Sequence, residues 1–384
     1  MDRALHWRWR ATIVAVLAVL AAVVSDPAQA RLLQPTKPSP QQQALAAYNR
    51  MTPRQRVGQL FMAGLPSSGA SPAQITALLA KRVGNVILIS GSSSGRKAVH
   101  RVTSSLSAKL IQAGVTPFIS TDQEGGEVQR LTGPGFSKMP TALVQGTTTP
   151  AALRTASTTW GKQLAAAGVD LNLAPVADIV PKKDASTNQP IGIFDREYGH
   201  GPKVVANHVV AFVQGMNAGG VDATLKHFPG LGRATGNTDT TAGVTDPTTR
   251  HDPYLKPFQD GVMAGAQFVM VSSATYPAID PHHLACFSTT IINGMLRGDL
   301  HFAGVVISDD LGTIALRKFP VGTRAVDFFT AGGTMLLDTT LGQIPTMVRA
   351  VRTAEAADPT FAAVLKTAEL NVLTAKASAH LIAA

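Results

Sequence analysis

Short apolar runs bounded by glycine or proline recur along the chain: Gln59–Gly64, Gly84–Ser90, Thr116–Asp122, Leu171–Asp178, Val221–His227, Gln267–Ser273, Gly304–Asp309 and Thr334–Asp338. Between them lie amphipathic stretches with helical spacing: Pro72–Arg82, Arg96–Ala113, Pro150–Ala167, Pro202–Ala218, Pro253–Ala264, Thr289–Leu300, Gly322–Ala331 and Ile344–Ala354, with a closing helix over Thr360–Ala379. Runs that are apolar without alternation are buried on both faces, which requires parallel strands covered by helices. Eight such units in 384 residues predict an α/β fold, a single-domain (β/α)8 TIM-type barrel with insertions. A doubly wound open sheet is the alternative, but no G-x-G-x-x-G follows the first run. Thr52-Pro53-Arg54-Gln55 reads as a helix start, with Thr as cap, Pro at the first helical position and Gln reaching back.

The barrel domain is placed at 51–384. Ahead of it, Arg3, Arg8 and Arg10 precede an uncharged apolar run over Ala11–Val24 and a small-x-small site at Ala28-Gln29-Ala30. Residues 1–30 are therefore expected to be a signal peptide, and 31–50, with Pro35, Pro38 and Pro40, a linker and lead-in. The expected location is outside the cytoplasm, secreted or associated with the cell wall. The alternative is an uncleaved N-terminal membrane anchor. With no cysteine near the cleavage point, lipid attachment through a lipobox thiol is excluded.

Hydrophobic residues make up 45% of the chain and charged residues 15%, which suits a well-packed globular body. The single cysteine, Cys286, allows no internal disulfide and reads as a buried structural thiol. No metal-ligand spacing is present, so neither a metal nor another cofactor is predicted. The net charge of +10 is scattered, without an aromatic-interleaved basic stripe, which argues against nucleic acid as a partner. It is compatible with an anionic polymer such as a bacterial wall.

The predicted strands end in residues that a core would not choose. The third reaches Asp122-Gln123-Glu124-Gly125-Gly126, with Arg130 close behind, and the fourth reaches Asp178, with Asp195-Arg196-Glu197 in its loop. Lys226-His227 ends the fifth, ahead of about fifteen residues too rich in Gly, Thr and Asn for a regular element. Ser308-Asp309-Asp310 ends the seventh. Taken singly, each has a structural explanation, as a helix cap or a solvated charge. In a barrel, however, all of them share the strand C-terminal face. The set lacks a Ser-His-Asp arrangement and a phosphate cradle. Its carboxylates, basic groups and amides are the partners that sugar hydroxyls require, and two carboxylates in different environments could hydrolyse a glycosidic bond.

Asp122-Gln-Glu-Gly-Gly-Glu-Val-Gln-Arg130, Ala174-Pro-Val-Ala-Asp178, Asp195-Arg196-Glu-Tyr-Gly199, Lys226-His-Phe-Pro-Gly230 and Ser308-Asp-Asp-Leu311 resemble, in order, the motif series of glycoside hydrolase family 3, and most closely its single-domain bacterial β-N-acetylglucosaminidases. The resemblance implies a retaining, exo-acting enzyme that removes terminal β-linked N-acetylglucosamine, with a cell-wall glycan or its fragments as substrate. It makes Asp309 the nucleophile, with Asp310 the competing candidate. It matches Asp122, Arg130, Arg196, Lys226 and His227 to sugar-holding positions. Glu124 reads as buried support for the Gly125-Gly126 turn. The chain departs from the family in the loop after Gly230, where an Asp-Ser-His triplet normally supplies the acid/base histidine. Here Asn237-Thr238-Asp239 stands in its place, and Leu231 replaces a common histidine. Asp239 is then the acid/base candidate, with Asn237 orienting it or the sugar's acetamido group. His251, His282 and His283 are lesser alternatives. A non-catalytic wall-sugar binder and a β-glucosidase are the competing functional readings.

Overall fold

A computed structural model of the protein describes residues 38–383. The expected signal peptide lies outside the described residues, as does the lead-in up to residue 37. Pro40–Ala384 forms one compact unit. Among the described residues no helix is long and apolar enough to cross a membrane.

All eight predicted strands are present: β1 (Phe61–Leu65), β2 (Asn85–Leu88), β3 (Phe118–Thr121), β4 (Leu171–Asn172), β5 (Asp222–Phe228), β6 (Phe268–Val271), β7 (Val305–Ser308) and β8 (Leu336–Asp338). They pair in parallel in the order β7-β6-β5-β4-β3-β2-β1-β8. The two ends of the sheet meet through the parallel bridge between Ile307 and Met335, which gives the (β/α)8 barrel. β4 is shorter than the apolar run suggested. Pro175 has no N–H to give to a neighbour, so regular pairing stops and resumes only at the Val176–Lys226 bridge.

The helices follow from local chemistry. Thr52 and Gln55 make the predicted reciprocal cap, and Ser71 and Gln74 make a second one. Pro40–Arg50, read as lead-in, is a helix. Its alanines and glutamines favour that state, and Ala44 and Ala47 are buried in a small cluster with Leu373 and Ala377 of the C-terminal helix Pro359–Ser378. Thr290–Asp299 forms a π-helix, within the stretch where an ordinary helix was expected.

The barrel interior is packed at its lower end. Phe118 and Phe268 meet edge-on with centroids 5.3 Å apart. Asn85 Nδ2 donates to the carbonyls of Gln59 (2.7 Å) and Phe61 (3.2 Å), while its Oδ1 accepts from Phe118 N (3.3 Å), stapling three strands. Below this, the fully buried Lys376 reaches in from the C-terminal helix. Its Nζ donates to Gln59 Oε1 (2.6 Å), Gly84 O (2.9 Å) and Thr116 O (3.0 Å), just ahead of β1, β2 and β3. Three acceptors take the three ammonium protons. The polar residues at the strand C-termini are thereby left to the opposite, open end.

Lys376→Met keeps most of the aliphatic stem but orphans three buried acceptors. Its unfolding free energy in urea should fall by about 2–4 kcal/mol.

Candidate active site

The strand C-termini surround a cavity of about 640 Å³. Each site residue named from the sequence lines it: Asp122, Arg130, Arg196, Lys226, His227, Asn237, Asp239 and Asp309. Apolar lining comes from Met270 of β6, Leu337 of β8 and Leu173 just after β4.

The ion pairs are organised by Glu124. Gln123–Gly125 and Val128–Gln129 form a small antiparallel hairpin beyond β3. Gly125, at φ +114°, turns it where a Cβ would stand 2.0 Å from Pro140 O. The Glu124 carboxylate does more than support this turn. It accepts two bonds from Arg196, at 2.8 Å each, and lies 2.6 Å from Lys226 Nζ. Lys226 also donates to Asp122 Oδ1 (2.8 Å), and Arg196 Nη1 donates to Pro190 O (2.7 Å). Burial alone would raise the Glu124 pKa, but Arg196 and Lys226 outweigh it and hold the carboxyl far below its ordinary range.

Asp178, buried at the end of the run that β4 begins, does similar work for the next loop. Its Oδ1 accepts from His227 N (3.1 Å) and Leu231 N (2.9 Å), and its Oδ2 lies 2.8 Å from His227 Nδ1. With Nδ1–H so engaged, the imidazole presents Nε2 as its remaining polar atom. The loop that follows has no regular element, as expected, but it is well braced. Gly232 packs where a Cβ would come within 1.8 Å of Ile179 O. Arg233 binds Asp252 (2.5 Å) and Thr248 (2.8 Å) and stacks over Tyr254. At the tip, the carbonyls of Thr238 and Asp239 accept from Ala315 N (3.2 Å) and Ile314 N (3.3 Å), beyond β7. Asn237 Oδ1 accepts the backbone N–H of Asp239 at 2.9 Å, so Asn237 shapes the turn that carries Asp239.

Of the two adjacent aspartates after β7, Asp310 is fully occupied. It accepts from Gly312 N (2.8 Å), Thr339 N (3.1 Å) and the Thr339 hydroxyl. Asp309 accepts a single bond, from Asp310 N at 2.9 Å through Oδ1. Burial pushes the Asp309 pKa up to about 6, with His227 pulling it down and Asp239 pushing it up. Asp239 is also raised, first by burial, with Asp310 and Asp122 adding to the shift and His227 and Arg196 opposing it. Asp309 and Asp239 thus feel one another and titrate as a pair. Arg130 donates its backbone N–H to Asp122 O (3.2 Å), while its buried Nε has no partner among the described residues. His251, His282 and His283 do not line the cavity, and His283 is taken up by Asp280. The arrangement can hold several hydroxyls and an amide, and it brings two carboxyls of raised pKa, Asp309 and Asp239, to one cavity.

Comparison with known proteins bears on this geometry. The family model described as "Glycosyl hydrolase family 3 N terminal domain" matches residues 52–365. A β-hexosaminidase of Xylella fastidiosa (strain M12) is 36% identical over 268 residues, covering 67% of this chain and 76% of that protein. The crystal structure of a β-N-acetylhexosaminidase from Beutenbergia cavernae DSM 12333 superposes with a TM-score of 0.83 at 46% identity, over 85% of this chain and 98% of the other. A family 3 β-N-acetylglucosaminidase from Paenibacillus sp. str. FPU-7 gives a TM-score of 0.77 at 30% identity, over 87% of this chain and 64% of that one.

Glu124→Gln leaves Arg196 and Lys226 buried with too little opposite charge, a change that costs about 3–5 kcal/mol. Because the folded pKa of Glu124 lies below its ordinary 4.5, its contribution is complete above that pH and is lost as the pH falls through the folded value. The variant should therefore unfold at lower urea than wild type at pH 7, and the gap should narrow as the pH is lowered below 4.

Proposed function

The chain belongs to glycosyl hydrolase family 3, and we propose that it is a retaining β-N-acetylhexosaminidase that releases terminal N-acetylglucosamine from peptidoglycan or its fragments outside the cytoplasm. That it is a glycoside hydrolase follows from family and relatives alike. The observation that carries the finer reading is the pair Asp309–Asp239 across one cavity, amid charged and amide groups that match a sugar's hydroxyls.

In the proposed reaction Asp309 attacks C1 of the bound sugar while Asp239 gives its proton to the glycosidic oxygen. The C1–O bond breaks, an aspartyl–sugar ester forms, and the aglycone leaves as an alcohol. Water then attacks C1, Asp239 takes its proton, and Asp309 is released as carboxylate, with net retention at C1. The division of roles rests on environment. Asp309 is braced by Asp310 N–H and keeps its second oxygen free. No donor among the described residues binds the Asp239 carboxylate, and burial raises its pKa above the ordinary value. Asp122, Lys226 and Arg196 hold hydroxyls; His227, fixed by Asp178, offers its Nε2 to one further hydroxyl; the Asn237 amide and Arg130 are available to the acetamido group and outer hydroxyls. The expected export signal and the basic net charge support an anionic wall as the setting.

Asp309→Ala should lower kcat on an aryl N-acetyl-β-glucosaminide by about 10⁴-fold, and unchanged rates would dispose of the reading. Asp239→Ala should cost about 10²–10⁴-fold on diacetylchitobiose and much less on an activated aryl glycoside. kcat/KM should be bell-shaped in pH, its rising limb set by the first ionisation of the Asp309–Asp239 pair and its falling limb by the second. Asp239→Ala should erase the upper limb. A wild-type preference for the gluco over the N-acetylglucosamine aryl glycoside would make the enzyme a β-glucosidase instead.

A further inference from the structure

Four of the residues lining the cavity are exposed: Glu127, Phe194, Asp239 and Thr340. They mark its rim, and Phe194 is the one apolar side chain among them. It is 40% exposed, and its neighbour Ile193 is 42% exposed. Phe194 meets no other ring among the described residues.

This exposure is imposed by a well-held backbone. Asn188 Oδ1 accepts from Ile191 N (3.0 Å) and Gly192 N (2.9 Å), while its Nδ2 donates to Leu231 O (3.0 Å) in the loop beyond β5. A Cβ at Gly192 would stand 2.3 Å from Ala185 O, so the turn Gly192–Phe194 is pressed down onto its neighbour. On the far side Asp195, at φ +53°, is bound through its carbonyl by Leu143 N (3.1 Å). Two residues beyond Phe194, Arg196 enters the ion-pair cluster with Glu124. The anchored segment thus sends a cation down to the floor and an aromatic ring up to the rim.

The remaining geometry says what that ring could meet. A sugar with C1 at Asp309 fills the floor, and its glycosidic bond must leave toward the open side. A β-linked pyranose there presents a face of axial C–H groups and an edge of hydroxyls. An aromatic face complements the first, and Glu127 and Thr340 complement the second. We propose that Phe194 is the platform for the sugar on the leaving side of the scissile bond, forming a second pyranose subsite with Glu127 and Thr340 on its hydroxyl edge. The proposal rests on the hydrolase reading above for the placement of the first sugar.

The test compares kcat/KM on diacetylchitobiose and on methyl N-acetyl-β-glucosaminide. Phe194→Ala should lower the first by about tenfold, leave the second within about twofold, and be rescued by Phe194→Trp. An equal loss on both substrates would mean that Phe194 acts only through Arg196, and no loss on either would mean that the ring is unused; each overturns the proposal. If wild type cleaves neither glycoside, it is the hydrolase reading that fails, and binding decides the platform. Diacetylchitobiose must then bind more tightly than N-acetylglucosamine, and Phe194→Ala must remove that advantage. An advantage that is absent or that survives the substitution overturns it.

Discussion

Two cations that a protein interior would otherwise reject, Arg196 and Lys226, share one buried carboxylate, Glu124. Each comes from a different part of the barrel: the hairpin beyond β3, the long loop beyond β4, and β5 itself. A charge moved from water into such a setting costs several kcal/mol unless it is paired and hydrogen-bonded. Here the pairing is bidentate on one side and reinforced by Asp122 and Pro190 O on the other. The geometry of the floor follows from this. Because Glu124 occupies one side of each cation, their remaining donors are aimed at the cavity before any ligand arrives. Preorganised donors of this kind need no reorientation when charge shifts in a bound sugar.

The same cluster sets the proton inventory of the rim. With Glu124 and Asp122 together balancing Arg196 and Lys226, burial is the largest influence on both Asp239 and Asp309; neighbouring carboxylates add to it and His227 opposes it. Both carboxyls are therefore pushed up rather than down. Two like charges facing one another in a partly dry cleft ionise one at a time. The bond from Asp310 N favours the charged form of Asp309. Asp310, next in the chain, is excluded from this exchange because its oxygens are committed to Gly312 and Thr339.

Much of this was legible in the chain itself. Unalternating apolar runs can only be doubly covered strands, so the barrel followed from patterning, and the strand ends located the cavity. What patterning could not show was the partner of a buried charge. Glu124 looked like turn support because its neighbours are two glycines, and the cations that claim it lie 72 and 102 residues further on. The helix at Pro40–Arg50 was hidden by the run of prolines, Pro35, Pro38 and Pro40, that leads into it, and by a stability that comes from burying two alanines against the C-terminal helix. β4 was read too long because a proline within an apolar run leaves hydropathy unchanged while removing a ladder donor. Phe194 gave no signal at all. An isolated aromatic in a loop has no period, and its significance comes entirely from the turn that turns it outward.

The long loop after β5 raises a mechanical question that its hydrogen bonds answer. In the proposed reaction a nucleophile fixed at the end of a strand and an acid carried by an irregular loop must keep their spacing, or one of them is useless. Around the barrel wall the two are separated by an entire β/α unit, through which small shifts would accumulate. Instead the carbonyls of Thr238 and Asp239 accept directly from Ala315 and Ile314, a few residues past Asp309 in the chain. The spacing is thus set by backbone-to-backbone contact between the two carriers. At 3.2–3.3 Å these are long bonds, each worth about 1 kcal/mol or less. Such a latch is strong enough to define a closed geometry and weak enough to open for a departing sugar, while the base of the loop stays tied down by Arg233 and Asp178. Strength at the base and weakness at the tip is what an acid on a moving support requires.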